Sequence, residues 1–361
     1  MKDSVGSVLI ISEWYPPAFK AGGPIRSVYN LVKLLRAESD LKVLTSSYDL
    51  DGSNISHDAD YIIEANDARS IRKYVKAHAG PVYLNSMFSW NYGILPLFHS
   101  RKIYLSPRGM LKASALRHKP LKKRIYLRVA NLLRLYAHTH FIASNQAELE
   151  EIKEHIKVHK GISILQNVST EPREVTTPIT KKPGEAKLVH VGRIHAIKNL
   201  IFLLDVLERI ETPIHVSIIG PIEDERYWGK CLTRIKQLQA KGHEIQYHGA
   251  LPPEEIESMV LTAHVLTSPS LGENFGHAIF NALAVGRPVL ISDRNPWQYL
   301  QRENAGWDVD LSLNEWVRHI NEFIEFDQAE FDKMCAGALN YAKLHSVKEE
   351  LKERYLQQFL S

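Results

Sequence analysis

The stretch "HVLTSPSLGENFGHAIFNALAVGRPVLISD", residues 264–293, holds a strand-like apolar run, a polar loop, an apolar helical pattern and a second strand-like run. A short strand that leads through one loop into a helix and then into another strand is a βαβ unit, and its two strands run parallel. Glu273 lies in the middle of the loop, between a strand and a helix that both read as buried. An unpaired buried carboxylate is expensive, so Glu273 is not a core residue. It either holds a ligand or belongs to a capped turn, and the stretch by itself leaves both open.

The same alternation runs through the chain. Before residue 168 it appears in "SVLIISE", "IRSVYNLVKLLRA", "KVLTS", "ARSIRKYVKAHA", "PVYLN", "KIYLS", "LKKRIYLRVANLLRLYAH" and "HFIAS". After residue 186 it resumes in "AKLVHVGR", "NLIFLLDVLERI", "IHVSIIG", "ERYWGKCLTRIKQLQAKG", "EIQYHG" and "PEEIESMVLTA". Between the two halves, "STEPREVTTPITKKPGEA" (169–186) has neither period and is rich in Pro, Thr and charge, the signature of a linker. A chain of 361 residues also exceeds one ordinary core. The pattern predicts an α/β protein of two Rossmann-like domains, 1–168 and 187–345, with a final helix over 346–361 that packs back on the first.

Hydrophobic content of 44% and charged content of 24% are those of a globular protein. The apolar run near the start is ended by Glu13 and two prolines and is too short for a signal peptide or a membrane span. Cys231 and Cys335 lie in helix-like surroundings without metal-type spacing, which argues against disulfides and zinc and for a reducing, cytoplasmic setting. The net charge of +4 conceals an asymmetry: no Asp or Glu occurs from Ser100 to Ala147, where eleven Lys and Arg residues stand. That segment attracts anions. Its most regular part, "LKKRIYLRVANLLRLYAH", predicts a helix that packs Leu121, Ile125, Leu132 and Leu135 on the sheet and turns its cations to water.

In doubly wound sheets, ligands bind where strands end and helices begin, because the free N–H groups of a helix N-terminus favour anions. In the first half this points to "EWYPPAFKAGGPIRSV", where Gly22 and Gly23 precede Pro24 and let backbone amides approach a phosphate; a flexible surface turn is the alternative. In the second half it selects "VHVGRIHAIKN". Gly192 ends a strand there, and Arg193 and Lys198 supply a planar fork and a point charge suited to a diphosphate; a solvated basic pair is the alternative. The loop carrying Glu273 stands in the equivalent place, with the backbone of Asn274, Phe275 and Gly276 at the helix start. The acidic triplets at Asp49–Asp51 and Asp308–Asp310 are too short to indicate a metal, and the second reads as an edge strand. No phosphate-binding loop of the G-x(4)-G-K-[ST] type is present.

Together, "SEWYPPAFKAGGPIRSVYNLVKLL", "VGRIHAIKN", "YHGALPPEEI" and "PSLGENFGHAIFNALAVGRPVLISDRNPW", in this order and over nearly the whole chain, resemble family four of the retaining glycosyltransferases. The resemblance implies the GT-B fold, two Rossmann-like domains facing each other across a cleft, with a nucleotide-sugar donor on the second domain and the acceptor on the first. It implies that Gly22 and Gly23 lie against the donor phosphates, that Arg193 and Lys198 neutralise the diphosphate leaving group, and that Glu273 contacts the donor sugar beside Asn274, Phe275 and Gly276. It implies no metal and no further cofactor. The family's E-x(7)-E pattern is broken here. Asn281 stands where a second carboxylate would hold the ribose hydroxyls, and an asparagine keeps an acceptor oxygen but loses the charge.

The expectation is therefore transfer of a sugar, with retention at the anomeric carbon, to a hydroxyl of a lipid-linked or polysaccharide intermediate in cell-surface glycan assembly. The basic segment points to an anionic acceptor and an anionic membrane surface on the cytoplasmic side, with Arg108 in "LSPRGML" as an acceptor contact. A same-fold epimerase or phosphorylase is the nearer alternative. A nucleic-acid-binding protein is the more distant one: the basic segment has Tyr104, Tyr126 and Tyr136 but no RNA-binding motif, so no nucleic acid is expected as partner.

Overall fold

A computed structural model describes residues 7–116, 120–175, 179–346 and 349–360. The chain divides into two compact units: one comprises the chain up to Val168 together with the last helix, and the other is Ser169–Ser346.

The first unit has a seven-stranded sheet built from β1 (Val8–Ile11), β2 (Leu41–Thr45), β3 (Ile62–Glu64), β4 (Val82–Leu84), β5 (Ile103–Leu105), β6 (Thr139–Ala143) and β7 (Gly161–Ile164). Its order is β3-β2-β1-β4-β5-β6-β7 and every neighbouring pair is parallel. The second unit has β8 (Lys187–Val191), β9 (His215–Ile219), β10 (Glu244–Tyr247), β11 (Val265–Ser268), β12 (Val289–Ser292) and β13 (Gly306–Val309), in the order β10-β9-β8-β11-β12-β13 and again all parallel. Strands β1, β8, β11 and β12 are apolar and buried along almost their whole length, as sheets covered by helices on both faces require. In each sheet the order reverses beside its first strand, between β1 and β4 and between β8 and β11. Those are the two switch points where such sheets leave a crevice.

The helix Glu349–Leu360 buries Leu351, Tyr355 and Phe359 in the core of the first unit, where Phe359 meets the rings of Tyr83 and Tyr104 edge-on. Within the expected linker 169–186, Arg173 and Lys181 bond to the second unit. The Arg173 amide donates to Ala284 O, and the buried Lys181 ammonium donates to the carbonyls of Lys182, Ile324 and Phe326 at 2.7–2.9 Å. A cation among the carbonyls that end the helix Leu313–Ile324 completes groups the helix cannot bond itself.

The basic helix Pro120–Leu132 also departs from expectation. Leu121, Ile125 and Leu132 are 72%, 51% and 81% exposed, while Tyr126, Leu127 and Ala130 face the core. The roll of the helix is set by polar anchors on that inner side. Tyr126 and Tyr136 share a hydrogen bond of 2.6 Å, Asn131 Nδ2 donates to His155 O at 2.8 Å, and Asn131 Oδ1 accepts from the Lys157 amide.

Candidate functional site

The second unit brings together residues from the two loops that flank its switch point. After β8 the chain passes Gly192 and Arg193 and makes a single turn, Ala196–Lys198, that ends at Asn199 in the left-handed conformation before the helix Leu200–Leu207. After β11 it passes Pro269 to Gly276 and enters the helix His277–Ala284. Lys198 Nζ donates to Glu273 Oε1 at 2.5 Å, with the two side chains 21% and 12% exposed. A half-hidden ion pair between two loops can exchange partners with a ligand that carries both anionic phosphates and hydroxyls.

The backbone around this pair is held from several sides. The Leu271 amide and the Ser270 hydroxyl both donate to Ile197 O, at 2.8 and 3.1 Å. Ser292 Oγ, at the end of β12, donates to Ser270 O at 2.6 Å, and the Glu273 amide donates to Arg294 O at 3.0 Å. The Lys198 side chain passes over Gly192, where a Cβ would stand 3.3 Å from Lys198 Cδ. Gly276 has φ +77°, and a Cβ there would meet Ile279 Cδ1 at 3.0 Å, so the turn into the helix requires glycine. Phe275 is fixed by its carbonyl, which accepts from Trp297 Nε1 at 2.6 Å, and by its ring, tilted against that of His277 with centroids 4.5 Å apart. Asn274 lies half-buried beside it.

Beneath the pair, His190 on β8 is buried and donates through Nδ1 to Thr267 O on β11 at 3.1 Å. Burial pushes its pKa down to about 4, against a smaller upward effect of that hydrogen bond. The ring is therefore neutral at pH 7 and ties the two strands at the switch point.

Two of the expected residues lie elsewhere. Arg193 turns outward and pairs with Glu223 at 2.7 Å, both side chains about two-fifths exposed, and not with Glu273. Asn281 is on the helix His277–Ala284, where its Oδ1 accepts from the Thr170 hydroxyl at 2.8 Å. The acceptor oxygen expected for a ribose is thus already engaged from the segment 169–186. Asp308 accepts from the amides of Tyr299 and Leu300 at 3.0 and 2.8 Å and serves a turn beside the edge strand β13.

In the first unit the loop after β1 carries Gly22, with φ +72° and ψ −131°, a conformation reserved for glycine, immediately before the helix Gly23–Leu35. The buried Asp49 carboxylate accepts from the amides of Phe19 and Lys20 and holds this loop, while Asp51 pairs with the Lys20 ammonium. Arg108, itself at φ +52°, directs its guanidinium inward. Nε donates to Asn85 Oδ1 at 3.1 Å and Nη2 to the Tyr83 hydroxyl at 2.6 Å. Asn85 in turn donates to Pro24 O at 3.2 Å. Arg108 therefore acts on the glycine loop through Asn85, a different position from the acceptor contact expected of it.

The residues missed by sequence reasoning are the supports: Ser270, Ser292, Thr170, Asn85 and Glu223. Ser270 and Asn85 share one signal, a small polar residue just beyond the carboxyl end of a buried strand beside a switch point, and Ser292 ends the next strand, β12.

Residues 173–337 match the family model described as "Glycosyl transferases group 1". A D-inositol 3-phosphate glycosyltransferase of Corynebacterium urealyticum is 28% identical over 227 residues, which cover 57% of this chain and 52% of that relative, about half its length. Two solved structures superpose over nearly the whole chain. The Anabaena protein HepE, in complex with UDP and glucose, has a TM-score of 0.73 at 15% identity, with 98% of each chain covered. Sucrose-phosphate synthase from Thermosynechococcus elongatus has a TM-score of 0.71 at 16% identity, also with 98% of each chain covered. The likeness to these structures shows the fold. The chain thus has the GT-B fold of these structures, and its residues 173–337 are similar to the glycosyl transferases group 1 family.

Proposed function

We propose that this protein is a glycosyltransferase that moves a sugar from a nucleoside diphosphate sugar to a hydroxyl acceptor, with retention at the anomeric carbon and without a metal. The observation that carries the reading is the Lys198–Glu273 pair, supplied by the two loops at the switch point of the second sheet. When a donor binds, its diphosphate takes the Lys198 ammonium and its sugar hydroxyls donate to the Glu273 carboxylate. As the glycosidic bond breaks, charge grows on the diphosphate oxygen, and Lys198 stabilises that charge more than the ground state. Arg193 joins it by leaving Glu223; a pair as exposed as that one is worth about 0–1 kcal/mol, so an anion can displace it. A leaving phosphate that accepts the acceptor's proton dispenses with a protein base.

The acceptor is read as an anionic lipid-linked or glycan intermediate of cell-surface polysaccharide assembly at the cytoplasmic face of the membrane. The acid-free basic segment supports this, and so does the phosphorylated acceptor in the name of the Corynebacterium relative. No helix among the described residues is long and apolar enough to cross a membrane. UDP is the first nucleotide to try, because it is the one in the Anabaena complex.

Donor turnover by Lys198→Ala tests the reading. Loss of a preorganised charge of this kind costs about 100- to 1000-fold in rate. Near-normal turnover would overturn the role given to Lys198.

A further inference from the structure

Strand β8 carries a histidine where packing alone asks for an apolar side chain: Leu188 and Val189 before it are buried, and His190 itself is 1% exposed. The register between β8 and β11 ends at Val189 and Leu266, whereas that between β8 and β9 runs on to Val191 and Ile219. The two strands of the switch point therefore part at His190, and side chains bridge the opening. His190 Nδ1 donates to Thr267 O at 3.1 Å, and Thr267 Oγ1 donates to Val189 O at 3.3 Å. A carbonyl only accepts, so Nδ1 holds the proton, and Nε2 of the neutral ring is a bare acceptor. Nε2 is buried and has no hydrogen-bond partner among the described residues. Buried polar atoms are nearly always bonded, by the protein, by water or by a ligand. The charges of Lys198 and Glu273 both act on this ring, so it belongs to their site.

We propose that His190 Nε2 accepts a hydrogen bond from a hydroxyl of the donor's sugar, which makes His190 a specificity-determining residue of the second unit. The inference rests on the donor reading of the Lys198–Glu273 pair and names what that site selects. The chemistry of the atom chooses the partner. Phosphate oxygens at neutral pH only accept, and a bare imidazole nitrogen repels them. The Lys198 ammonium is a donor, but Glu273 holds it in the free protein, and the diphosphate takes it in the proposed complex. A sugar offers several O–H donors at once, so one hydroxyl donates to Nε2 while another donates to Glu273. An epimer or deoxy sugar that withdraws the first hydroxyl leaves a buried nitrogen unpaired, the kind of mismatch that binding sites discriminate most strongly.

His190→Asn is the discriminating variant. Its amide nitrogen takes the place of Nδ1 and keeps the bond to Thr267 O, while the side chain ends short of the place of Nε2. Titration calorimetry of the full chain with UDP-glucose, UDP-galactose and GDP-mannose, and with UDP and GDP, gives the readout. For the sugar nucleotide that wild type binds most tightly, His190→Asn weakens binding about tenfold. Binding of the same nucleotide without its sugar is unchanged, which a merely structural role of His190 does not allow. A second measurement needs no variant. In wild type labelled with nitrogen-15 at histidine, the Nε2 resonance of the ligand-free chain is that of an unprotonated ring nitrogen, and it moves toward that of a hydrogen-bonded one with the sugar nucleotide but not with UDP or GDP. Equal weakening of the nucleotide and its sugar derivative, unchanged binding of both, or a proton on Nε2 in the free protein overturns the inference. A wild-type chain that binds none of these ligands overturns the donor reading itself, and the inference falls with it.

Discussion

At the scale of single residues, Asn281 carries the most specific expectation. Its oxygen accepts from Thr170, so it supports the segment 169–186 in the role where a carboxylate would face a ribose. If the ribose does reach this position, Asn281→Glu replaces a neutral hydrogen bond by a charged one. That gains about 1 kcal/mol, or roughly a fivefold lower KM for the nucleotide sugar. An unchanged KM with kcat preserved would remove Asn281 from the donor site. The other residues of the site were legible to different degrees. Lys198 and Glu273 were visible because each follows a buried strand and opens a helix, and the fold joins them. Arg193 was legible as a cation on the right loop, but its choice of Glu223 was not, since Glu223 lies thirty residues away on the loop after β9. Arg108 misled because a basic residue after a strand looks the same in sequence whether its guanidinium faces solvent or the Tyr83 hydroxyl.

At the scale of elements, the segment 169–186 shows how composition can mislead. Its prolines and charges read as a linker, yet Lys181 is buried against the end of the helix Leu313–Ile324. Lys181→Met keeps the aliphatic stem and removes the donor; Ile324 O and Lys182 O keep the amides of Gly184 and Glu185, and Phe326 O loses the Lys181 ammonium. It should cost about 2 kcal/mol in stability, and urea unfolding measures it; a change within error would show that water replaces the ammonium there. The strands and helices themselves were legible wherever the apolar period was long. The alternation read from sequence passes over β3, whose three residues are too few to show a period. It also omits Leu313–Ile324, although Trp316, His319, Ile320, Phe323 and Ile324 are buried at helical spacing. The basic helix was found, but of its expected inward residues Leu135 packs on the core while Leu121, Ile125 and Leu132 face out. Leucine count favours the outer stripe, whereas Tyr126 and Asn131 decide the roll through partners distant in sequence.

At the scale of the whole molecule, buried histidines make the fold sensitive to acid. His190 is buried and neutral at the switch point of the second unit, with its pKa pushed from 6.5 down to about 4. The unfolded chain takes up a proton below pH 6.5 that the folded chain refuses until about pH 4, so stability falls as pH drops through that window. The loss is on the order of 3 kcal/mol when the window has been crossed. Thermal unfolding followed from pH 7 to pH 4.5 should show a decline that His190→Gln flattens; parallel slopes would mean that another group carries the acid sensitivity. His264, also in the second unit and also pushed down to about 4 by burial, adds to the decline in the same direction.

The hydrogen bonds from Ser270 and Leu271 to Ile197 have a consequence for anyone who would re-engineer the proposed donor site. The turn 196–198 and the loop 269–276 are stitched at one carbonyl, so they form a single cassette although seventy residues separate them in the chain. A graft of either loop from a protein of the same fold arrives without its counterpart's backbone and loses the alignment of Lys198 with Glu273. The unit of exchange is both loops together, with Ser292 kept beneath them as the fastening.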